Sequence, residues 1–162
     1  MQDSIRIEIE AAFSSLENRM APRSIVFAGK HKAEKQAMLA KIFAEATGRG
    51  FSCCTFDAMQ AFASGDIWEQ ILKIGEAAQS DKAPACIFIG ELQQIPKERL
   101  GELLTAIHRS NQLNYPVMFF CTGSPKIAKL LVHTKSYAER LFAYFDLSES
   151  VRISKPTVCK GV

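Results

Sequence analysis

The stretch Gly29-Lys30-His31-Lys32-Ala33-Glu34-Lys35-Gln36 sets a glycine and a lysine at the spacing of the phosphate-cradling pattern G-x4-G-K-[ST]. In that pattern glycines let backbone N–H groups close on phosphate, and the lysine reaches the terminal phosphates. Gly29 permits a sharp exit from a preceding strand, and Lys35 stands where the ammonium is needed. Two positions depart from it. Glu34 replaces the second glycine, adding bulk and a charge that repels phosphate. Gln36 replaces the hydroxyl that holds magnesium, and an amide is a poorer ligand. A plainer reading of the same residues stays open: a solvated, lysine-rich turn that opens a helix.

A second element carries an acid. Ala85-Cys86-Ile87-Phe88-Ile89-Gly90-Glu91 is an apolar run that ends on a carboxylate. Such runs bear Asp-Glu where magnesium is held and a water is activated; here Gly90 takes the aspartate position and Glu91 keeps the glutamate. Taken alone, Glu91 also reads as an ordinary acid at a strand end. Other groupings offer less. His31, His108 and His133 fall on different elements without ligand spacing, and Ser124 after Gly123 makes no G-x-S-x-G elbow. The cysteines Cys53, Cys54, Cys86, Cys121 and Cys159 are odd in number and lack C-x-x-C spacing, so no metal site is expected. Four of them lie in apolar, strand-like runs and read as small hydrophobes in a reduced, cytoplasmic setting. Phe13, Phe43, Phe56, Phe62, Phe88, Phe119 and Phe120 fall in apolar stripes, as core residues do.

The elements that must position these groups alternate along the chain. Ile5, Ile9, Ala12, Phe13, Leu16 and Met20 recur at helical spacing over residues 4–20, which predicts an N-terminal amphipathic helix over residues 1–20. Strand Arg23–Ala28 leads through the polar turn to helix Ala33–Thr47, closed by Gly48–Gly50. Strand Phe51–Phe56 precedes helix Asp66–Gln79, and strand Ala85–Ile89 precedes helix Pro96–Asn111. Strand Val117–Cys121 precedes a helix over Lys126–Val132; a last helix over Ser136–Phe142 leads to a fifth strand, Tyr144–Leu147. Strands alternating with helices predict crossover connections and a parallel sheet covered on both faces. The core is expected over residues 21–148, followed by a polar tail over 149–162.

Composition narrows the classes. The 162 residues are 48% hydrophobic and 23% charged, which excludes disordered and fibrous chains and suits one globular domain. A net charge of +3 is too mild to name a nucleic-acid partner. No apolar run reaches the roughly 18 residues of a membrane span, so no membrane partner is expected. The first residues lack the apolar core of a signal peptide.

Two further segments carry a resemblance. Gly123-Ser124-Pro125-Lys126 and the run His133-Thr134-Lys135-Ser136-Tyr137-Ala138-Glu139-Arg140-Leu141-Phe142 are similar to the G-L-P-x-L and A-K-S-Y-A-E-R-L-F segments after the fourth strand of certain ATPases. Gly90-Glu91-Leu92-Gln93 resembles their D-E-L-Q. With the strand order, the chain resembles AAA+-type P-loop ATPases of the prokaryotic origin-recognition and STAND-like group over residues 20–148. The resemblance implies a three-layer αβα fold with a parallel five-stranded sheet in the order 5-1-4-3-2, and ATP beside strand one.

Residue by residue, it implies nucleotide contacts at Gly29, Lys30, His31, Lys32, Ala33, Glu34, Lys35 and Gln36, with Lys35 as the Walker A lysine. Glu91 corresponds to the catalytic glutamate and Thr122 to the sensor that orients water. Arg140 corresponds to an arginine finger acting on a neighbouring subunit, or is simply an arginine on a helix surface. The departures weigh against Mg²⁺, and a helical lid is not expected in the polar tail. The expected function is an ATP-binding domain with degenerate Walker A and Walker B elements. It would be impaired in hydrolysis and act through association with a protein partner or with its own copies. The alternatives are an active atypical ATPase, its magnesium held by water and Glu91, and a nucleotide-independent adaptor or DNA-associated assembly module.

Overall fold

The computed structural model describes residues 3–59, 65–81 and 83–147. The expected alternation is found. Helix α1 (Asp3–Glu17) precedes β1 (Ser24–Ala28), α2 (Lys32–Gly48) and β2 (Ser52–Asp57). Next come α3 (Ile67–Ser80), β3 (Ala85–Gly90), a single 3₁₀ turn (Leu92–Gln94) and α4 (Lys97–Gln112). The chain continues with β4 (Val117–Gly123), α5 (Ile127–Thr134), the one-turn α6 (Ala138–Leu141) and β5 (Phe142–Asp146). All strand pairs are parallel, in the order β2-β3-β4-β1-β5. That is the expected three-layer αβα P-loop NTPase sheet, 5-1-4-3-2, seen from its other edge.

Alternation along the strands divides two apolar layers. Ile25 and Phe27 of β1, Phe88 of β3 and Phe120 of β4 face α1 and α2, where Phe13 and Ile42 meet them. Val26, Ile87 and Phe119 face the opposite layer with Ile71, Leu104 and Leu131. A continuous apolar strand is what two covered faces demand, and β1 and β4 are buried along their whole length. The two edge strands differ from that expectation. β2 has only exposed and half-buried residues, and β5 is buried only at Phe142 and Ala143.

Boundaries moved where a contact distant in sequence decides them. α1 stops at Glu17, and Met20 is exposed. Arg19 adopts φ 63 there, its N–H donates to the Leu16 carbonyl, and its guanidinium donates to the carbonyls of Ala78 and Gln79 at the end of α3. α2 ends as expected near its glycines: Gly50, at φ 86, donates to the Thr47 carbonyl, and Phe51 donates to that of Ala46. This is the hydrogen-bond pattern of a left-handed helix cap. The helix expected over Ser136–Phe142 shrinks to Ala138–Leu141, because Phe142 pairs with Ser24 and starts β5 two residues early. Residues 148–162, which hold the expected tail and Cys159, lie outside the described residues, as does Phe62.

Helix α3 packs against the turn before β4 through a glycine. A methyl on Gly75 would stand 2.3 Å from a ring carbon of the buried Tyr115. Alanine is the better helix former by about 1 kcal/mol, yet overpacking of this kind costs about 1–3 kcal/mol. Gly75→Ala should therefore destabilise the protein, read as a lower urea midpoint with an unchanged slope.

Candidate functional site

The first strand-to-helix connection is short. β1 ends at Ala28 and α2 begins at Lys32, so only Gly29, Lys30 and His31 form the turn. Lys32, Ala33 and Glu34 already occupy the first turn of α2, and the Lys35 N–H donates to the His31 carbonyl as in any helix. Side chains on a helix lean toward its N-terminus, which carries Lys35 up to the carboxyl ends of the strands. There α2 and α5 diverge to opposite faces of the sheet, at the crevice between β1 and β4 where open α/β sheets bind ligands.

Lys35 fills that crevice. It is 3% exposed, and its Nζ donates to both carboxylate oxygens of Glu91 at 2.9 Å and to the Gly123 carbonyl at 3.0 Å. The same carbonyl accepts the Gly29 N–H at 3.1 Å. Thr122, buried at the end of β4, accepts the Glu91 N–H at 2.9 Å. Its hydroxyl lies 3.4 Å from Glu91 Oε2. Glu91 takes φ 55 and ψ 65, a left-handed backbone uncommon outside glycine. The Thr122 contact and the Gln94 N–H on the Glu91 carbonyl hold it there. Gln93 in the same 3₁₀ turn accepts the Ser124 N–H, joining the β3 and β4 ends.

The structure thus brings together Gly29, Lys35, Glu91 and Thr122. Lys30, His31, Lys32, Ala33, Glu34 and Gln36 are exposed around the turn. Arg140, exposed on α6, lines neither this cluster nor the cleft beside it. Sequence reasoning did not single out the Gly123 carbonyl as the group on which Lys35 rests. Its trace was a glycine closing an apolar strand: a methyl there would stand 2.4 Å from Ile127. The cleft, about 660 Å³, runs between α2 and the ends of β2 and β3, with Gln36, Phe43, Phe56, Asp57, Gln94 and Glu91 on its walls. Asp57 and Gln94 also went unnoticed, since neither belongs to the patterns at Lys35 or Glu91.

These residues do not fit a magnesium triphosphate. A phosphate cradle needs successive loop N–H groups turned inward, and here that segment is helical, with Glu34 at its mouth. The ammonium that would meet phosphate is already saturated by Glu91 and Gly123. Gly90 and Gln36 offer magnesium no carboxylate or hydroxyl. Among the described residues, no group of three His, Cys, Asp or Glu stands close enough to hold a metal ion.

A pair this buried makes a sharp prediction. Removing one partner of a buried ion pair costs about 3–5 kcal/mol, whereas replacing both by apolar groups is often neutral. Because Glu91 keeps some solvent contact, Lys35→Ala should cost near the low end, about 3 kcal/mol. Lys35→Met combined with Glu91→Leu should recover most of that loss in a double-mutant cycle by urea denaturation.

No family model matches the chain, and no curated protein matches it. Solved structures share its fold. C. elegans PCH-2 superposes with a TM-score of 0.61 at 17% identity, over 88% of this chain and 41% of that one. A chain from Drosophila ORC bound to AT-rich DNA and Cdc6 gives 0.54 at 11% identity, over 90% and 57%. Thermotoga maritima RuvB gives 0.57 at 13% identity, over 90% and 45%. The chain therefore spans about half the length of the solved chains it matches. Among the described residues, no helix is long and apolar enough to cross a membrane. The sheet order, the crossover helices and these neighbours together give the described residues the three-layer αβα fold of P-loop NTPases.

Proposed function

We propose that this domain is a cytoplasmic pseudo-ATPase that acts through protein association and does not hydrolyse nucleotide. The observation that carries this reading is the saturated Lys35. An ammonium bonded to a carboxylate and a carbonyl has no donor left for a γ-phosphate unless Glu91 is displaced. Displacement would leave Glu91 facing the incoming triphosphate, a like-charge contact that the site cannot neutralise without a metal ligand. In an active relative, the lysine and the acid serve separate ends of the phosphoryl transfer. Here each serves the other.

Association is supported by what the fold retains. Arg140 stays exposed on α6, outside the ion-pair cluster, so its charge is directed at a surface. One structural neighbour was solved in a complex with a second protein and DNA, and this chain keeps the layer architecture of that neighbour. The nucleotide-independent adaptor shares all of this geometry. An active atypical ATPase requires Glu91 to release Lys35.

Nucleotide titration separates these readings. A ligand at a hundred times its dissociation constant stabilises a protein by about 2.7 kcal/mol. Millimolar ATP with Mg²⁺ should yield no phosphate above the uncatalysed blank, and an unchanged thermal midpoint would leave only the nucleotide-independent adaptor. Phosphate release that disappears in Lys35→Ala would overturn the proposal. A stabilisation without phosphate release would retain the pseudo-ATPase and remove the nucleotide-independent adaptor.

A further inference from the structure

The β2–β3 edge carries a second reactive feature, remote in role from Lys35. Cys53 and Cys86 are direct register partners on neighbouring parallel strands, so their side chains leave the sheet on the same face. Both pack in the layer under α1 and α2, Cys86 fully buried and Cys53 half-buried. The Cys53 thiol donates to the Phe51 carbonyl at 3.7 Å, and the side chains of Cys86 and of Thr47 at the end of α2 stand near enough to favour its thiolate. Adjacent strands lie about 4.7–4.9 Å apart, within the Cα separation of about 4.4–6.8 Å that a disulfide spans. β2 is an edge strand with exposed residues along it and has room to adjust.

We propose that Cys53 and Cys86 form a dithiol oxidised by hydroperoxides, with Cys53 as the attacking thiol and Cys86 as the resolving one. The thiolate of Cys53 attacks the terminal peroxide oxygen. The O–O bond breaks, the leaving oxygen departs as water or an alcohol, and Cys53 becomes a sulfenic acid. Cys86 then loses its proton and attacks Cys53 Sγ; the S–O bond breaks and water leaves. The two sulfurs together lose two electrons, which the peroxide gains.

The environments of the thiols assign these roles. The Cys86 side chain, aided by Thr47 against the cost of burial, holds Cys53 down to about 7. Cys86 itself is raised well above the ordinary thiol range by Cys53 and by burial. Burial also raises Cys54 and Cys121. Cys53 is thus the one described cysteine lowered toward neutral pH, where its thiolate is substantially populated, and thiolates are the reactive form. Cys54 points to the opposite layer and has no such partner across the strands.

The test uses the full reduced chain. With iodoacetamide at pH 7, Cys53 should be alkylated at least about fivefold faster than Cys54, an advantage tempered by the lower nucleophilicity of a more acidic thiol. Stoichiometric hydrogen peroxide should remove two hydrogens from the intact mass, and peptide mapping should join Cys53 to Cys86. Dithiothreitol should reverse both changes. In Cys86→Ser, peroxide should leave Cys53 as a sulfenic acid that dimedone traps. Equal alkylation rates at Cys53 and Cys54 would refute the proposal. So would a crosslink to any other cysteine, Cys159 included, or oxidation of Cys53 in the native chain to higher acids without a disulfide. The alkylation rates need no variant, so they decide even if Cys86→Ser folds poorly.

Discussion

The crevice between β1 and β4 demands an anion, and Glu91 supplies it. An ammonium removed from water must recover its hydration in bonds to protein. Lys35 does so with one carboxylate and one carbonyl, both presented by strand ends. Several local features follow from that requirement. Glu91 accepts a left-handed backbone so that its carboxylate turns back toward β1. Thr122 caps the N–H which that conformation would otherwise strand. Gly123 stays without a side chain because α5 starts directly above it. The pair therefore ties three strands and two helices at one point, although each of its members lies on a different element.

What was readable in the sequence was the part written in local periodicity. Continuous apolar runs marked β1, β3 and β4, and helical spacing marked α1 to α5. From the alternation came a parallel sheet, and from the resemblance its strand order. The edges were harder. Ser52–Asp57 mixes serine, cysteine and threonine because, among the described residues, one side of β2 has no strand beside it, and position in a sheet is not a local property. The Ser136–Phe142 segment has helical residues throughout, yet pairing of Phe142 with Ser24 takes its end into β5. Parallel pairing with a strand far back in the chain outweighed local preference.

At the site, residue types and spacing were visible while depth was not. Gly29 and Lys35 matched a phosphate pattern, and Glu91 matched an acid at a strand end. That these two charges meet, 56 positions apart, depends on how many residues the first turn consumes. An eight-residue stretch can fold as a cradle with the lysine at its rim, or as a brief turn with the lysine inside. The substitutions at Glu34 and Gln36 suit the second outcome, since both side chains are comfortable on an exposed helix face. The cleft beside β2 and β3 was invisible for a similar reason: its walls come from five separate elements.

The three-residue turn between β1 and α2 has a further consequence for engineering. Restoring glycine at position 34 and a hydroxyl at position 36 would change chemistry without changing path. The backbone of residues 32–34 would still be wound into α2, and the bond from the Lys35 N–H to His31 would still close it. A working phosphate loop needs that first turn unwound, which forfeits helix hydrogen bonds and frees a buried lysine at once. Point substitutions at positions 34 and 36 alone would therefore leave the path of this turn as it is.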